Sequence, residues 1–202
     1  MSNTAPSNRY VEVMRAALRG EWNDIKRVYN LPPCNNIDIE DDNSNIILLN
    51  PLTGDTILHM CAQCGQTDIM EQMLKIIPAS KRLLSVSNKK GNTVLHEAAR
   101  TGIVKMAMLI IEKELDGGGD QLLVSVPNLN GETPIYWAAM YGHKDMLLFL
   151  NTTASSRGIT STSTSMVSPL TIRTSDHSTI LHAAVLVESY GNKLYSLCNR
   201  LV

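Results

Sequence analysis

Aromatic side chains are scarce in these 202 residues: one Phe, two Trp and six Tyr. Ring stacking therefore cannot fill the core of a domain this long, and aliphatic residues must do so, with ten Met as adaptable filler. Neither sign of charge is in excess. The formal net charge is −1, and no Lys/Arg block is dense enough to hold nucleic acid. No apolar run approaches the roughly 18 residues that cross a bilayer, and the opening MSNTAPSNRY lacks the basic and apolar regions of a signal peptide. These absences lead us to expect a cytoplasmic chain that does not itself insert into a membrane. Cysteine is sparse too: Cys34, Cys61, Cys64 and Cys198 read as buried thiols of a reducing compartment rather than disulfides. The sequon Asn151-Thr152-Thr153 reads as a chance match in a loop.

Metal and catalytic chemistry fail on spacing. His96-Glu97 begins like a helical zinc-hydrolase motif, which needs a second His four residues after the first. That position is Arg100, a fixed cation. Cys61-x-x-Cys64 has no second ligand pair at zinc spacing. The glycines of DGGGD, 116–120, lack a Gly-Lys-Ser/Thr continuation and read as a helix stop and connector. The acidic run Asp38, Glu40, Asp41 and Asp42 lacks the grammar of a calcium loop and reads as a solvated insert. No nucleophile–base–acid grouping is left, so no catalytic residue, metal or cofactor is expected.

What the chain does have is a repeat. GDTILHMCAQCG (54–65), GNTVLHEAARTG (91–102) and GETPIYWAAMYG (131–142) align on their threonines. HSTILHAAVLV (177–187) is a weaker copy, and RYVEVMRAALRG (9–20) keeps only the small-residue pair and its Gly. The steps are 37 residues from Thr56 to Thr93, 40 from Thr93 to Thr133 and 46 from Thr133 to Thr179. Periods of this length mark a solenoid.

Each repeated position has a physical reason. Gly54, Gly91 and Gly131 suit turns that need positive φ. Thr56, Thr93, Thr133 and Thr179 stand where an N-cap hydroxyl meets orphan helix amides, and Pro134 follows at a position where a missing N–H is harmless. Ala98-Ala99, Ala138-Ala139 and Ala183-Ala184 let one helix approach the next, and Cys61 takes the same small-residue position. Gly65, Gly102 and Gly142 read as left-handed caps. A second helix then follows, with apolar stripes at Ile69, Met70, Met73, Leu74 and Ile77, and at Met106, Leu109 and Ile110. His59, His96 and His182 recur at one position that Tyr136 fills in the third copy. A catalytic residue is not needed three times, so these read as imidazoles bonding within the turn and cap.

The pattern G-x-T-x-L-H-x-A-A-x-x-G followed by a second apolar helix resembles the ankyrin repeat. The stretches NKKGNTVLHEAARTG, PLTGDTILHMCAQCG and STILHAAVL are similar to the plant ankyrin proteins whose full-length members end in a PGG-type membrane domain, absent here. The resemblance implies an all-α solenoid of about five stacked repeats, the first and last degenerate, over residues 9–202. Repeats are expected at about 9–46, 47–87, 88–127, 128–174 and 175–202, after a flexible tail at 1–8. The Ser/Thr-rich stretch 152–168, with eleven such residues in seventeen, is expected to be a disordered insert.

In the family the turn tips and the ends of the first helices line a concave binding groove, and the resemblance implies the same here. The candidates are Lys89, Lys90, Asn92, Arg100, Thr101, Leu129, Asn130, Glu132, Trp137, Met140 and Tyr141. They grade from cationic to aromatic and apolar, which suits a protein partner with an acidic segment beside an apolar anchor. The expected function is a non-catalytic interaction scaffold, which the subfamily resemblance places in plant stress or defence signalling. The alternative is the soluble fragment of a membrane-associated regulator, as the full-length relatives would be. Leu194, Leu197 and Leu201 share one helical face that no later acidic residue covers, so a missing continuation and self-association through the uncapped last repeat are expected.

Overall fold

The computed structural model describes residues 6–29, 49–76, 83–116, 123–156 and 174–188. Within them the chain is helical, with no strand. The helices are α1 (Pro6–Arg19), α2 (Trp22–Tyr29), α3 (Ile57–Cys64), α4 (Thr67–Ile76), α5 (Val94–Thr101), α6 (Val104–Asp116), α7 (Pro134–Met140), α8 (Lys144–Ser156) and α9 (Ile180–Glu188). Short 3₁₀ turns at Leu83–Ser85 and Leu123–Ser125 lead into the next turn.

The capping residues set the boundaries. Thr56, Thr93 and Thr133 are extended, with ψ of 171°, 168° and 164°, so each ends the turn and opens an inner helix. Gly65, Gly102 and Gly142 have φ of 71°, 73° and 78° and stop that helix. The outer helix starts two residues later. Only glycine fits at Gly102 for a second reason: a Cβ there would lie 2.5 Å from the His143 ring.

The inner helices α1, α3, α5, α7 and α9 pack in one row, and α4, α6 and α8 pack in a second row behind them. Close approach in the inner row is possible because Cys61, Ala62, Ala98, Ala99, Ala138, Ala139, Ala183 and Ala184 are all fully buried and small. Between the rows lie Leu58, Met70, Met73, Leu95, Met106, Ile110, Ile135, Met146, Leu147 and Leu150. This is the aliphatic, methionine-filled core that the shortage of rings demands. Each buried aliphatic side chain contributes about 1.5–3 kcal/mol, and no single repeat could bury such a face alone.

Two boundaries differ from the sequence expectation. Helix α1 begins at Pro6 rather than after residue 8, with proline at a first helical position that has no use for its N–H. Helix α8 runs to Ser156, so residues 152–156 of the expected insert are helical. Thr152 and Thr153 both return their hydroxyls to the Phe149 carbonyl at 2.9 Å, and Ala154 is fully buried. The Asn151 sequon therefore lies on a helix, not in a loop. Cys34 and Cys198, the acidic run 38–42, the glycines at 117–119, Ile77, residues 157–168 and the leucines at 194–201 lie outside the described residues.

Candidate partner-binding groove

Each turn is organised by one side-chain oxygen. Asn50 Oδ1 accepts from the Leu52 N–H at 2.9 Å, Asn88 Oδ1 from Lys90 at 2.9 Å and Asn92 at 3.0 Å, and Asn128 Oδ1 from Asn130 at 2.9 Å and Glu132 at 3.0 Å. Such Asx turns fix the tip locally. Gly91, at φ 78°, completes its turn, and a Cβ there would sit 2.7 Å from the Leu129 nitrogen of the next tip. The tips then join one another by backbone bonds: Lys89 N–H to Thr53 O at 2.9 Å, Leu129 N–H to Lys90 O at 3.1 Å and Ser175 N–H to Asn130 O at 2.7 Å.

The histidines tie the same layers together one level deeper. His59 and His96 are wholly buried. His59 Nδ1 accepts from the Thr56 N–H at 3.2 Å and lies 2.9 Å from its hydroxyl, while Nε2 donates to the Asn92 carbonyl at 2.9 Å. His96 repeats this with Thr93 at 3.0 and 2.9 Å and with the Glu132 carbonyl at 3.0 Å. A carbonyl can only accept, so Nε2 carries the proton in both rings. Burial pushes both imidazoles down from their ordinary pKa, His96 to about 4. His182 makes the same contacts with Thr179, at 3.1 and 2.8 Å. The sequence pattern indicated the cap contact. The bond into the next repeat was invisible, because its acceptor is a backbone atom 33 or 36 residues away.

The eleven predicted groove residues do not share one environment. Lys89 and Lys90 are exposed at one tip, with Lys89 Nζ donating to the Pro51 carbonyl at 2.8 Å. Leu129, 75% exposed, and Asn130 form the next tip. Asn92 departs from the expectation. It is buried, accepts Asn128 Nδ2 at 3.0 Å and donates to Glu97 Oε1 at 3.3 Å, so it braces two turns and offers no free surface. Glu132 is half-buried and receives Asn128 Nδ2 at 2.8 Å and Trp137 Nε1 at 2.9 Å on Oε2.

On the helix side, Arg100 is partly exposed and its Nε donates to Glu97 Oε2 at 3.0 Å. Thr101 returns its hydroxyl to the Ala98 carbonyl at 3.0 Å. Trp137 is partly buried, edge-on to His96 with centroids 5.7 Å apart, and tilted on Tyr141 at 5.9 Å. Met140 and Tyr141 are 44% and 47% exposed, far more than core side chains of their size. Among the described residues no group of three or more His, Cys, Asp or Glu could hold a metal ion, and no helix is long and apolar enough to cross a membrane.

A stack of helix pairs with a Thr–His cap at Thr56, Thr93 and Thr179 is one repeat architecture, and a family profile tests it against sequence. The profile for ankyrin repeats (3 copies) matches residues 13–121 and again 77–160. The chain belongs to the ankyrin repeat family. It is also similar to a putative ankyrin repeat protein of Rickettsia felis, 30% identical over 87 residues. That match covers 43% of this chain and 20% of the Rickettsia protein, so the chain spans a small part of its relative. Members of the ankyrin family are typically protein-interaction modules, and this chain shares their fold.

One further exposed apolar side chain occupies the same register position as Met140 and is not among the candidates read from the sequence. Leu186, 60% exposed, lies seven residues past its cap threonine, as Met140 and Arg100 do. The signal was present in the alignment. It was overlooked because the last copy has no terminal glycine to mark where its inner helix ends.

Proposed function

We propose that this chain is a non-catalytic adaptor that binds a protein partner through its concave face, the turn tips together with the ends of α5 and α7. The observation that supports this is the exposure of Leu129 at a turn tip and of Met140 and Tyr141 at the end of α7. Large apolar side chains left in water gain when a partner covers them. The cations Lys89, Lys90 and Arg100 beside it would set orientation more than affinity. The similarity of three motif stretches to plant ankyrin proteins supports a role in stress or defence signalling, in a cytoplasmic setting. The same similarity supports the alternative of a soluble part of a membrane-associated regulator, and fractionation beside a longer product of the same gene would tell the two apart.

The test is a comparative pull-down from the source tissue with wild-type chain and a Leu129→Asp/Met140→Asp double variant, matched by circular dichroism. A partner held by the wild type and released by the variant is the expected result. Partners retained equally by both would place the interaction elsewhere on the molecule. A Lys89/Lys90/Arg100 triple change then separates the charged from the apolar contribution.

A further inference from the structure

The side chains at one position of each inner helix form a row across the stack. Seven residues past the cap threonines Thr56, Thr93, Thr133 and Thr179 stand Gln63, Arg100, Met140 and Leu186. Helix α7 packs against both α5 and α9, so the register places Met140 between Arg100 on one neighbour and the exposed Leu186 on the other. Tyr141 and the partly buried Trp137 widen the apolar half.

Both halves are held in place before any partner arrives. The Trp137 indole is fixed at its Nε1 by Glu132 and at its face by the edge contact with His96. Arg100 is fixed at Nε by Glu97, which is itself almost wholly buried and gripped by Asn92. That bond leaves both terminal amino groups of the guanidinium for a further acceptor, the fork geometry that suits a carboxylate. Side chains fixed in this way lose little rotamer freedom on binding.

The charges of this face are arranged asymmetrically in depth. Three of its carboxylates are used within the fold, Asp55 by Thr53 and Asn88, Glu97 by Asn92 and Arg100, and Glu132 by Asn128 and Trp137, and a fourth, Asp176, is exposed at the last turn tip, held by Thr174 and the Ser178 N–H. Asp55 and Glu97 are buried, whereas Lys89 and Lys90 are exposed and Arg100 is partly so. Around Arg100 and Met140 a docking chain therefore meets donors and apolar carbon, with Glu97 and Glu132 already occupied.

We propose that the groove takes a polypeptide segment with an aliphatic or aromatic side chain seated among Trp137, Met140, Tyr141 and Leu186, and a nearby carboxylate received by Arg100. Glu97 is then a positioning residue, acting on the partner only through the guanidinium it orients. This rests on the groove reading above and specifies what the groove selects.

The experiment is selection of randomised displayed peptides on the wild-type chain, followed by fluorescence-polarisation titration of the enriched sequences. Enriched peptides should share an Asp or Glu close to a large apolar residue, and replacing that acid by its amide should weaken binding about tenfold. The loss should vanish on Arg100→Gln, which has no charge to offer. Glu97→Gln should reduce the acid preference while Arg100→Lys fails to restore it fully. Met140→Asp with Leu186→Asp should abolish binding, with helicity confirmed for every variant. Peptides lost on Met140→Asp but indifferent to the acid, or an acid effect unchanged in Arg100→Gln, would overturn the pairing and leave the groove reading standing. No enriched peptide, or peptides insensitive to Met140→Asp and Leu186→Asp, would overturn both.

Discussion

Acid should loosen this stack at its centre. His59 and His96 each use Nδ1 as an acceptor for a threonine N–H and Nε2–H as a donor to the next repeat. A proton added at Nδ1 would point at an N–H donor 3.2 or 3.0 Å away, so the charged ring cannot keep its cap bond. Asp55 and Glu97 act on His59, and Glu132 on His96, in the direction that favours the charged ring. Burial outweighs them. His96 titrates near 4 instead of 6.5 when folded. The unfolded chain therefore takes up the proton first as pH falls. The contribution to stability is complete above about pH 6.5 and is lost progressively as pH falls towards about 4. At about 1.4 kcal/mol per pH unit, His96 alone accounts for about 3 kcal/mol, and His59 adds in the same direction. That is a large share of the roughly 5–15 kcal/mol of a domain. Urea unfolding followed by circular dichroism at a series of pH values from about 7.5 to about 4.5 reads this directly. The midpoint should fall steadily below about pH 6.5, and His96→Gln, though less stable at neutral pH, should show a shallower fall. A midpoint independent of pH over this range, or an unchanged slope in His96→Gln, would refute the reasoning.

Three further outcomes are expected. Gly102→Ala combines a left-handed backbone with a Cβ aimed at the His143 ring, and should lower stability by about 2–3 kcal/mol in denaturant titration. Ala154→Asp places a carboxylate at a fully buried site in what composition reads as unstructured chain. It should cost about 2 kcal/mol or more, and a neutral effect would show that the end of α8 does not pack. Burial pushes the Cys61 thiol up to about 12, so at neutral pH Cys61 should resist iodoacetamide in the folded chain while exposed Cys64 is alkylated, as read by peptide mass mapping.

The parts of the molecule legible in sequence are those where a backbone conformation dictates a residue type. A left-handed cap calls for Gly65 or Gly102, and an extended residue before a helix favours Thr56 or Thr93, so chain order alone located α3, α5 and α7. Other features depend on contacts that no local pattern encodes. Asn92 varies between copies and is polar, which reads as surface, yet Asn128 and Glu97 satisfy both ends of its amide and it is buried. Thr152 and Thr153 have the composition of a loop, but hydroxyls that bond back to Phe149 can stay in a helix. Leu186 was hidden by the missing glycine. For the groove, the sequence indicated the neighbourhood. Among those candidates the structure separates side chains bonded within the fold, such as Asn92 and Glu132, from exposed ones, such as Met140 and Tyr141.

The unequal repeat lengths fall on one side only. From cap threonine to cap glycine the count is constant, Thr56 to Gly65, Thr93 to Gly102 and Thr133 to Gly142, whereas the whole repeat grows from 37 to 40 to 46 residues. The first increment matches the three additional residues of α6 over α4, 13 against 10. All of the growth lies between a cap glycine and the following turn. The inner face thus works as a ruler whose graduations stay fixed while the backing lengthens. Insertions between a cap glycine and the next turn leave unchanged the count from cap threonine to cap glycine, and with it the equivalent positions of Gln63, Arg100 and Met140 on their helices.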